Sequence, residues 1–67
     1  MDGLRELEKA WRDAVGAVRR AREAYSMCLL NDPGGCALEQ ESLAAAEKRL
    51  RALERKLVEA RRREGVR

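Results

Sequence analysis

Apolar residues in the first half of the chain recur at intervals of three and four: Leu4, Leu7, Trp11, Val15 and Val18, then Tyr25 and Leu29. That spacing places them on one face of an α-helix. It predicts a helix from about Gly3 to Leu30, roughly 40 Å long at 1.5 Å per residue. A line of small residues runs beside the first: Ala10, Ala14, Ala17, Ala21 and Ala24, continuing into Cys28. Together the two lines cover nearly half the circumference, more than one neighbouring helix can bury. The second half of the chain carries a single narrow seam, Leu43, Ala46, Leu50, Leu53, Leu57 and Ala60, spaced as in a coiled coil. It predicts a second helix from about Cys36 to Glu64.

Between the two lies Cys28-Leu-Leu-Asn-Asp-Pro-Gly-Gly-Cys36, with the only Pro, two of the five Gly and both Cys of the chain. It predicts a turn over about residues 31–35. Asn31 suits the left-handed residue that closes a helix, Asp32 an N-cap and Pro33 a first helical position. Such a tight reversal sets the helices antiparallel. The expected fold is therefore all-α, one long antiparallel helical hairpin over residues 1–67, a two-helix coiled coil. Cys28 and Cys36 fall within bridging distance if the reversal is tight; they form either a disulfide or two small apolar fillers of the seam. With Cys28 facing Cys36, the alanine line meets the second helix, setting Ala21 near Leu43, Val18 near Ala46 and Ala14 near Leu50. Large side chains then oppose small ones, which lets the helices approach closely.

This arrangement leaves Leu4, Leu7, Trp11, Val15, Val18, Tyr25 and Leu29 uncovered, and a contiguous apolar face of that length calls for an occupant. Two occupants fit: a second copy of the chain, making a four-helix bundle, or another protein anchored on Trp11 and Tyr25. Arg22 interrupts the face. Its stem can lie over the apolar surface with its head in water, or its guanidinium can set the register by meeting a carboxylate. Gly16, in mid-helix, is either tolerated or marks a close backbone approach.

Composition agrees with this outline. The chain has 67 residues, 40% of them charged and only Trp11 and Tyr25 aromatic, as expected of long helices with no enclosed core. Charge is uneven. Residues 48–67 hold nine basic and three acidic side chains, a balance of +6, and residues 1–47 six and nine, a balance of −3. Arg55, Lys56, Arg61, Arg62 and Arg63 are the candidates for contact with an anion or nucleic acid. Pairs such as Glu47 with Arg51 and Glu59 with Arg63 favour a solvated helix end instead. In architecture alone the hairpin resembles the Rop family of plasmid copy control, whose hairpins dimerise into four-helix bundles and bind RNA. No motif here matches that family, and no residue role is taken from it.

The chemistry of catalysis is missing from the pattern. There is no His, and the only Ser are Ser26 and Ser42. No Gly-rich phosphate loop follows a strand, and the Glu-x-x-His pairs of metal-binding bundles are absent. The expectation is a non-enzyme without cofactor, metal or small-molecule substrate. It would be an interaction or assembly module, alternatively a basic nucleic-acid-associated bundle or a minor structural protein of a virus or phage particle. No membrane span or signal peptide is expected, which places the chain in the cytoplasm or within a particle.

Overall fold

The computed structural model describes residues 3–65. Two helices, α1 (Gly3–Asn31) and α2 (Ala37–Gly65), pack along their whole lengths. The result is an antiparallel hairpin 54 Å long and 14 by 13 Å across. The bounds expected from the hydrophobic pattern differ from these by one residue at each end of the turn and at the end of α2.

The turn is built differently from the expectation. No described residue takes a positive φ, so Asn31 is not a left-handed cap. It is instead the last residue of α1, with its side-chain amide donating to the Met27 carbonyl at 3.0 Å. The Asp32 amide still donates to Cys28 O at 2.7 Å, the i−4 spacing of a helix, so the ladder closes without a special backbone conformation. The Gly35 amide then donates to Asp32 O at 3.0 Å. This closes a β-turn with Asp32 first, Pro33 second and Gly35 last, the residue preferences of a type I turn. Pro33 therefore belongs to the turn and not to a first helical position. A β-carbon at Gly35 would collide with the Asp32 carboxylate. Cys36, not Asp32, caps α2, its carbonyl accepting from the Gln40 amide at 2.9 Å. A disulfide joins Cys28 and Cys36, whose Cα atoms are 5.9 Å apart.

Every residue of the expected α2 seam is buried or half-buried: Leu43, Ala46, Leu50, Leu53, Leu57 and Ala60. Cys36 and Glu39 extend it to the turn. On α1 the seam follows neither apolar line alone. It weaves between them as Leu4, Leu7, Trp11, Ala14, Val18, Ala21, Tyr25 and Cys28, an unbroken alternation of three and four. Val18, at 6% exposure, and Ala14 are the most buried residues of α1. The expected open face is therefore largely closed by α2. Val18 is buried, Leu4, Leu7, Trp11, Val15 and Tyr25 are half-buried, and only Leu29 and Arg22 are exposed.

The disulfide fixes the register, and stepping away from it sets Ala21 across from Leu43, Val18 from Ala46, Ala14 from Leu50, Trp11 from Leu53 and Leu7 from Leu57. A large side chain opposite a small one recurs through the middle of the rod, so neither voids nor clashes accumulate. Gly16 has only the end of the Arg20 side chain near a would-be β-carbon, so no close backbone approach accounts for it.

Candidate functional site

Among the described residues three polar pairs cross between the helices, and all lie on one flank of the hairpin. Arg61 donates to Glu8 at 3.1 Å, the Trp11 indole N–H to Glu54 at 3.3 Å, and Arg22 to Glu47 at 3.4 Å. The heptad explains the shared flank: Glu47, Glu54 and Arg61 recur every seven residues along α2, as do Glu8, Val15, Arg22 and Leu29 along α1. Arg22 thus meets a carboxylate with its own side chain still largely in water. The two ion pairs are solvated, with side-chain exposures of 64–65% at the arginines and 36% at the glutamates, so each is worth little. We expect Arg22→Ala to lower stability by at most about 1 kcal/mol, a shift of a few degrees in a thermal melt; a larger loss would show that the pair holds the register.

The indole of Trp11 forms one wall of a shallow groove between the helices on this flank. Leu57, Val58, Glu54 and Arg61 supply the rest. Val58 is the exposed large apolar residue at the open end of the rod. Toward the opposite, stapled end four apolar side chains are exposed: Met27 at 60%, Leu29 at 39%, Leu30 at 81% and Leu38 at 76%. Of these only Leu29 belongs to the interface expected from the sequence. Leu30 and Leu38 lie off both apolar lines and gave no periodic signal; what marks them is their position beside the turn, where neither helix can cover them.

The expected anion contacts, Arg55, Lys56, Arg61, Arg62 and Arg63, are all exposed in the second half of α2. Arg61 is engaged by Glu8. Among the described residues, one cluster brings three potential metal ligands within 4.8 Å of one another, Cys28, Cys36 and Glu39. With the sulfurs bonded to each other, the cluster presents no thiolate to a cation. Glu39 enters it because it follows Cys36 by three residues on the same seam. No described helix is long and apolar enough to cross a membrane.

Comparison with protein families, with curated proteins and with solved structures finds no match for this chain.

Proposed function

We propose that the chain is a non-catalytic assembly module that associates with further copies of itself through the apolar surface left open after the hairpin has closed. The observation that carries this reading is the exposure of Met27, Leu29, Leu30 and Leu38 at one end of the rod. Large apolar side chains left exposed at one end of a small protein mark contacts. The hairpin does not need them for its own seam. A two-helix layer also has little core, and association supplies the burial that a chain of this size lacks.

The test is the solution mass of the purified, oxidised chain by light scattering across a concentration series, beside Leu29→Glu/Leu30→Glu. The expected result is a dimer or larger species that becomes a monomer of unchanged helix content in the variant. A monomer at every concentration, or association unaffected by the variant, overturns the reading. Binding to duplex RNA or DNA that falls steeply with salt and is indifferent to Leu29 and Leu30 would replace it with contact through the basic end of α2.

A further inference from the structure

Folding the chain into a hairpin converts a modest sequence asymmetry into a strong one along the rod. Residues 23–41, which form the stapled end of the rod, carry four acidic side chains and not one Lys or Arg, a balance of −4. Residues 3–22 and 42–65, which lie side by side over the rest of the rod, carry fourteen basic and seven acidic side chains, a balance of +7. The stapled end is also where Met27, Leu29, Leu30 and Leu38 are exposed, and the open end holds the groove of Trp11, Leu57 and Val58.

We infer that two copies associate side by side and antiparallel, the stapled end of each lying on the open end of the other, with Leu29 and Leu30 at the Trp11–Val58 groove. This rests on the self-assembly reading above and specifies its partner, orientation and flank. Three observations point the same way. First, a parallel pair sets the −4 end against itself, whereas an antiparallel pair lays it on the basic open end of the other copy; electrostatic complementarity of this kind selects orientation and suppresses the wrong one. Second, Leu29 follows Glu8, Val15 and Arg22 at intervals of seven, so it lies on the same flank of the hairpin as the Trp11–Val58 groove. Third, a two-fold axis that exchanges Leu29 with Trp11 passes near residue 20, close to the middle of the rod. The copies then overlap over nearly their whole length, and the contact closes on itself as a two-fold pair requires. Asp32 at the turn comes to lie beside Arg5, Lys9 and Arg12 of the other copy, all of them exposed.

The test reverses the charge of the stapled end and then of the open end in the same chain. Glu23→Lys/Asp32→Lys should weaken dimerisation about tenfold or more, and adding Arg5→Glu/Arg12→Glu to that chain should bring it back to within about threefold of the original. All four positions are exposed, and circular dichroism checks that helix content is unchanged. A dimer that Leu29→Glu/Leu30→Glu dissolves but that the first charge reversal leaves unaltered, or that the second fails to restore, overturns the antiparallel arrangement while the assembly reading stands. A chain that is monomeric at every concentration overturns both.

Discussion

Val18→Glu should unfold the hairpin. Val18 is 6% exposed, and the register sets Ala46 across from it, so the helices are close at that layer and the space beside it is already filled. A glutamate there loses the apolar burial of valine, overfills a layer built for a small residue, and brings a carboxylate into the seam with no cation assigned to it. An uncompensated charge in such a place costs about 3–5 kcal/mol. That is most or all of what a small single-layer domain possesses. The measurement is helix content by circular dichroism, with Arg12→Glu as an exposed comparison. Loss of helix in the first and retention in the second is the expected outcome. A fully helical Val18→Glu chain that merely changes its association state would mean that Val18 faces outward, and the seam described above would be wrong.

Removal of the disulfide comes next in size. The bridge closes a nine-residue loop, and the chain-entropy account gives about 2.5 kcal/mol for such a loop. For a domain of this length that corresponds to a fall of roughly 10–20 °C in the melting midpoint. Cys28→Ser/Cys36→Ser should show that fall, and so should the native chain under reducing conditions. If the midpoint moves by less than about 3 °C, the type I turn and the packing around it hold the reversal without covalent help.

The architecture was legible because each half of the chain repeats its apolar positions at three and four and because Asp32-Pro33-Gly34-Gly35 can do little but turn. The α2 seam was legible from Leu43 through Ala60, the strongest apolar line on that helix, but not at Glu39, where a charged residue holds a seam position. The α1 seam was not. Two apolar lines lie side by side there, and either can be extended at helical spacing, so local periodicity cannot choose between them. What chooses is the fit of the layers to α2: only the line that alternates between large and small residues keeps Trp11, Val18 and Tyr25 in register with Leu53, Ala46 and Glu39. The consequence for the candidate interface is direct, because the residues that seemed open are mostly spent inside the hairpin. The exposed leucines at the turn escaped notice for the opposite reason: at a helix end a side chain can be apolar, off the seam and still uncovered, and no repeat announces it.

The staple sits at one extremity of the rod, and toward the other the helices are held only by packing and by solvated pairs such as Glu8 with Arg61. Such a molecule behaves as a pair of tongs. Its separation is hinged at the turn, so the arms part first where Leu4 and Ala60 meet and last at Cys28 and Cys36, and they close again as a zipper from a joint that never comes undone. The basic part of the rod is therefore also its most readily opened part, and a partner laid across it would bind the two arms together.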